Sequence, residues 1–212
     1  MDNAPIPRIK ICGVTSIHDA QLVVEGGADA LGLIYANSVR QVSDDVAKEI
    51  LEFCGKQLSV VGVFRHQDDE EVVRIVQRDA LGTVQLHDPA SDSLLQRLHA
   101  RDVRVVRAVT VHSPALSPRE LEQVVAVIVD SAQPGSGVTN DWLAVASMKF
   151  TVPMLIAGGL DPQNVRDVIG HTAPWGVDVA SGVESAPGVK DHAKVASFVA
   201  RAREALLQKG VS

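Results

Sequence analysis

The chain has 212 residues, 46% hydrophobic and 22% charged, with a formal net charge of −6 at neutral pH. This is a normal globular balance for one domain, residues 1–212, around one sizeable core. The acidic charge argues against a nucleic-acid partner, which needs a basic surface, and no apolar run approaches the ~20 residues that span a bilayer.

Only 3% of residues are aromatic, so the core must be built from Val, Ile, Leu and Ala. That palette suits buried parallel strands, which read as short apolar runs. Cys12 and Cys54 are the only cysteines. They are expected to be reduced thiols of a cytoplasmic protein, since two cysteines make no disulfide framework. The first ten residues lack the apolar core of a signal peptide.

Along the chain, one unit recurs: a short β-branched run ending in a Gly or polar residue, then an amphipathic stretch. Strands are predicted at Arg8–Cys12, Ala30–Tyr35, Ser59–Phe64, Thr83–His87, Arg104–Val109, Ala126–Asp130, Pro153–Ala157 and Gly176–Ala180. Helices are predicted at Ile17–Glu25, Asp44–Phe53, Glu70–Arg78, Asp92–Ala100, Pro118–Gln123, Asp141–Ser147, Pro162–Ile169 and Val189–Leu207. Ser16, Ser43, Ser91, Ser117 and Asp161 stand where N-caps belong, and Pro118 and Pro162 fit first helical turns. The alternation implies a parallel sheet with outer helices. A closed (β/α)8 TIM barrel and an open doubly wound sheet both fit, and the count of eight favours the barrel.

In a barrel, chemistry gathers where strands stop. The first strand stops at Cys12-Gly13, the fourth at His87-Asp88 and the sixth at Asp130-Ser131. The seventh runs into Gly158-Gly159 and the eighth into Ser181-Gly182. Glycines there let backbone N–H groups approach an anion, so these last two loops are candidates for a phosphate. Alternatively they only make tight turns. On position alone Cys12 reads more readily as a small buried hydrophobe than as a functional group, and Asp130 reads equally as a solvated acid or cap. Cys54 lies on the apolar face of the second helix and reads as core. There is no dinucleotide fingerprint, P-loop or metal-ligand spacing. The chemistry is therefore expected to use side chains alone, without cofactor or metal, and paired proton transfer fits that limit. In a closed barrel, a phosphate on strands 7 and 8 puts the substrate's far end between Asp130 and Cys12.

At these residues the chain resembles the phosphoribosylanthranilate isomerases of tryptophan biosynthesis. The matching segments are 10–15, 84–87, 129–131, 157–160 with Pro162 and Asn164, 177–184 and 187–191. The resemblance implies an Amadori rearrangement of N-(5-phosphoribosyl)anthranilate to 1-(2-carboxyphenylamino)-1-deoxyribulose 5-phosphate. It implies Asp130 as general acid and Cys12 as general base. Arg40 matches the arginine facing the anthranilate carboxylate. Gly158, Gly159, Ser181 and Gly182 match the phosphate grip. His87 is a further substrate-binding candidate, and Asp178 is an inward-facing polar position. The partner implied is a small phosphorylated substrate, bound by a monomer or homodimer.

The chain departs from the family pattern at the rim. Arg65-His66 replaces the usual Val-Asn, and Asp88-Pro89-Ala90 follows His87. Ser38-Val39-Arg40 replaces Ser-Pro-Arg, and Val138 stands where a lysine is usual. These changes support one alternative, a catalytically weak or broadened-specificity paralogue that binds a phosphoribosyl ligand. The related histidine-pathway isomerase carries an aspartate where Cys12 stands, so the cysteine argues against it.

Overall fold

The computed structural model describes residues 6–55, 57–130 and 142–209. Strand and helix alternate as β1 (Ile9–Cys12), α1 (Ile17–Glu25), β2 (Ala30–Ile34), α2 (Asp44–Cys54), β3 (Ser59–Phe64), α3 (Asp69–Arg78), β4 (Thr83–Leu86) and α4 (Asp92–His99). The second half continues with β5 (Arg104–Thr110), α5 (Pro118–Glu122), β6 (Ala126–Asp130), α6 (Trp142–Ser147), β7 (Met154–Ala157), α7 (Val165–Thr172), β8 (Gly176–Val179) and α8 (His192–Gln208). A 3-10 turn at Ser181–Val183 and a small antiparallel pair, β9 (Glu184–Ala186) and β10 (Val189–Lys190), lie between β8 and α8. The eight main strands are parallel, and β8 pairs with β1 to close the barrel. The open-sheet alternative is thereby excluded.

The sheet divides the core in two. Ile9 and Ile11, Val105 and Val109, Val127 and Val129 face outward into the larger apolar cluster under the helices. Inside lies a smaller cluster of Val106, Ala126, Ile128, Leu155 and Ala157, contributed by β5, β6 and β7. Side chains alternate along a strand, so the interior positions of β1, β4 and β8 are Lys10 and Cys12, Thr83 and Gln85, and Asp178. All of these are buried. The barrel interior is thus apolar on one side and polar on the other. The polar side includes the seam where β8 meets β1.

Ser16, Ser43, Ser91 and Ser117 cap their helices by accepting from the N–H groups of Asp19, Val46, Leu94 and Glu120. Asp68 and Asp191 do the same for α3 and α8. Asp161 does not cap a helix as expected. It accepts from the N–H groups of Gln163 and Asn164 in a turn, and α7 starts only at Val165. Val189 and Lys190, predicted as helix, form β10 instead. The turn at Pro187-Gly188, with Gly188 at φ 81°, folds this segment back on β9. Cys54 is fully buried, as a core residue should be. Asp141, predicted at a helix start, lies outside the described residues.

Candidate active site

Cys12 closes β1 and is 7% exposed. Lys10, two residues earlier, shares its face. The Lys10 ammonium lies 2.9 Å from Asp178 Oδ1, and the closed register sets Lys10 opposite Asp178. Gly32 of β2 makes room here, because a Cβ at that position would sit 2.8 Å from Cys12 Sγ and 3.2 Å from Lys10 Cε. Burial pushes the Cys12 thiol up, and the positive charge of Lys10 acts against that shift.

A second charged group adjoins Cys12. Lys190 donates to the carbonyl oxygens of Cys12 and Ala180, at 2.7 and 3.1 Å, and to Glu184 Oε1 at 3.0 Å. Arg40 grips the same carboxylate with two parallel bonds, Nε to Oε1 at 2.7 Å and Nη2 to Oε2 at 2.8 Å. Burial acts to raise the Glu184 carboxyl, but hydrogen bonds and charge from Arg40 and Lys190 hold it below the usual carboxylate range. The Arg40 side chain passes over Gly13, where an added Cβ would meet Cδ at 2.8 Å. Among the described residues, its Nη1 has no hydrogen bond.

Asp130 ends β6, partly buried, in register with Thr110 and Ala157. Gly158 and Gly159 follow β7 with φ of 85° and 62°, the left-handed region that side chains resist. Asn164 braces this loop, donating to the Gly159 carbonyl at 2.8 Å and accepting from the Asp161 N–H at 3.0 Å. The next loop packs on it so closely that a Cβ on Gly182 would lie 1.8 Å from the Leu160 carbonyl oxygen. Ser181 beside it is exposed. Cys12, His87, Asp130, Gly158 and Ser181 therefore all stand at the carboxyl ends of their strands. Ser131 and the 134–138 loop, with Val138, lie outside the described residues.

His87 is mostly buried, 3.0 Å from Gln85 through its Nε2. Desolvation, with the nearby charges of Lys10, Arg65 and Arg107, lowers its pKa to about 4. The ring is neutral at physiological pH and accepts the Gln85 N–H at Nε2. An unfolded histidine titrates near ~6.5, so below that pH the unfolded chain takes up a proton that the folded chain refuses. Stability is therefore expected to fall from about pH 6.5 towards pH 4, by roughly 3 kcal/mol from this group. Urea unfolding of His87→Gln should show a shallower acid slope than the parent, and an equal slope would rule out this origin.

The rim departures prove to be physically joined. His66, at φ 67°, donates its N–H to Asp88 Oδ2 at 2.5 Å, and its Nδ1 lies 3.2 Å from Oδ1. A change after β3 is thus locked to a change after β4.

Three residues given no role in the sequence reading, Lys10, Glu184 and Lys190, form the charged framework around Cys12. A signal for Lys10 was present: a lysine inside an apolar strand is seldom buried without a partner. Among the described residues, no group of three or more His, Cys, Asp or Glu is placed to hold a metal ion, and no helix is long and apolar enough to cross a membrane.

Residues 9–201 match the family model of N-(5'phosphoribosyl)anthranilate (PRA) isomerase. An N-(5'-phosphoribosyl)anthranilate isomerase of Geotalea uraniireducens is 41% identical over 202 residues, covering 92% of this chain and 98% of the relative. The crystal structure of phosphoribosyl anthranilate isomerase from Thermotoga maritima superposes with a TM-score of 0.79 at 33% identity, covering 94% of this chain and 100% of that one. A further isomerase structure, in complex with reduced 1-(o-carboxyphenylamino)-1-deoxyribulose 5-phosphate, has a TM-score of 0.74 at 32% identity, with coverage of 94% and 100%. With a closed barrel, matched from β1 into α8 and nearly end to end by these relatives, this chain belongs to the phosphoribosylanthranilate isomerase family of tryptophan biosynthesis.

Proposed function

We propose that the protein isomerises N-(5'-phosphoribosyl)anthranilate to 1-(2-carboxyphenylamino)-1-deoxyribulose 5-phosphate by an Amadori rearrangement. The observation that carries the mechanism is the position of Cys12 and Asp130. They end β1 and β6, flanking the glycine loops of β7 and β8 at one mouth of the barrel. A phosphate held by backbone N–H groups of Gly158-Gly159 and Ser181-Gly182 leaves the sugar between acid and base. The compound bound to one relative is the reduced form of the product proposed here.

Asp130, protonated, gives its proton to the furanose ring oxygen. The C1–O bond breaks and the anthranilate nitrogen lone pair forms the Schiff base. The Cys12 thiolate then takes the C2 proton, becoming a thiol, and the electron pair left on C2 yields an enolamine that tautomerises to the ketone. His87 and Asp178 contribute polar contacts to the sugar. No cofactor enters this scheme, and the named groups come from one chain, so monomer and homodimer serve equally.

Arg40 fits the anthranilate carboxylate through its Nη1 side, with Glu184 fixing the opposite edge. This contact exists in ground and transition states alike. Arg40→Ala is accordingly expected to raise KM by ~10-fold or more with little change in kcat, the size of one lost charge-assisted hydrogen bond. The fold should tolerate the change, because Glu184 keeps Lys190. Steady-state turnover with phosphoribosylanthranilate tests the whole reading. Absent turnover with retained binding of a phosphoribosyl ligand would favour the broadened or weakened paralogue, to which the linked His66–Asp88 rim points.

A further inference from the structure

Cys12 needs a counter-charge if it is to work as a thiolate behind 7% exposure, because burial alone favours the neutral thiol. Three cations lie near it, and two are already committed. Lys190 spends its donors on the carbonyl oxygens of Cys12 and Ala180 and on Glu184. Arg40 is held edge-on by Glu184. Lys10 differs in making a single hydrogen bond among the described residues, to Asp178 on the neighbouring strand. It projects from the same face of β1 as the thiol, and its Cε and Cys12 Sγ both lie within about 3 Å of the point left open by Gly32.

We propose that Lys10, steadied by Asp178, is a positioning residue whose ammonium supplies the positive charge against which the Cys12 thiolate forms. The inference rests on the reading of Cys12 as the base. It assigns Asp178 a second duty besides facing the sugar: it keeps Lys10 charged and fixed inside the barrel. Gly32 then serves as the shared space in which ammonium and sulfur meet, a reason for glycine in the middle of a buried strand.

The test measures Cys12 rather than turnover. In a Cys54→Ala background Cys12 is the one thiol, and its alkylation by iodoacetamide is followed from pH 7 to 9.5. Lys10→Met is expected to lower the rate constant at pH 8 by ~10-fold or more and to move the rate–pH profile up by about one unit or more. Lys10→Arg, which keeps the charge, should recover most of the rate. Lys10→Met alone leaves Asp178 buried and unpaired, so Lys10→Met/Asp178→Asn removes the pair together. This double variant should regain stability while Cys12 stays slow.

A folded Met variant with the parental rate and profile would overturn the proposal. So would a rate lowered equally at every pH, which signals altered access rather than a lost counter-charge. Failure of the underlying base role reads out differently, as full turnover by Cys12→Ser, and leaves the alkylation result untouched.

Discussion

Asp130→Asn and Cys12→Ser are each expected to lower kcat by at least ~100-fold, the lower end of what a positioned acid or base contributes. Asn keeps nearly the shape of Asp130 and cannot protonate the ring oxygen. Ser keeps nearly the size of Cys12, and its hydroxyl has a far higher pKa, so it is a poor base. Both native groups act mainly while bonds are changing, so KM should move less than kcat. The pattern is opposite to that of Arg40→Ala, and the three variants assayed side by side on phosphoribosylanthranilate separate chemistry from binding. Near-parental kcat in either variant removes that residue from its role. Gly182 is a poor probe by comparison. Any side chain there meets the Leu160 carbonyl, so lost activity would report a displaced loop rather than a lost phosphate contact.

The barrel was legible because each strand ends in a break and most helices begin at a cap. Four of the five predicted caps are serines that bind the backbone as expected. The fifth, Asp161, has the same local chemistry, and its carboxylate does bind nearby N–H groups. Those groups belong to a turn, because α7 starts later, beyond the loop that Asn164 ties back to Gly159. The positions of Cys12 and Asp130 at strand ends were likewise readable one strand at a time.

The charged framework was not, for a physical reason. Lys10 and Asp178 are 168 residues apart, Arg40 and Glu184 are 144 apart, and Lys190 reaches back to the Cys12 carbonyl across 178. Each partnership exists only when β8 closes on β1. Closure combined with side-chain alternation does recover the first of them: Lys10 and Asp178 each sit at an interior position, and the register sets them side by side. The second depends on β9 and β10, an irregular hairpin that the chain's periodicity did not reveal. That same hairpin converts a predicted helix start at Val189 into the strand that delivers Lys190.

Lys190→Met is expected to be the most destabilising of the single substitutions considered, costing about 3–5 kcal/mol, as when one member of a buried ion pair is removed. The Lys190 side chain is fully buried, and it ties the end of β1 to the residue after β8 by bonding the Cys12 and Ala180 carbonyls together. Met fills similar space and satisfies neither oxygen. Glu184 keeps Arg40, but that arginine is partly exposed and cannot replace a buried ammonium. Burial holds Lys190 below the ordinary lysine value, and the Glu184 carboxylate is what favours its charge. Removing that carboxylate as well should therefore hurt less than expected from the single changes. In urea denaturation, Lys190→Met should lower the midpoint with little change in slope. Glu184→Gln should cost clearly less in the Lys190→Met background than in the parent, a coupling that double-mutant cycles detect in shared networks. Additive costs would mean that the two residues act separately. Because the same ammonium fixes Cys12 against the loop after β8, the variant should also lose kcat under conditions where it remains folded.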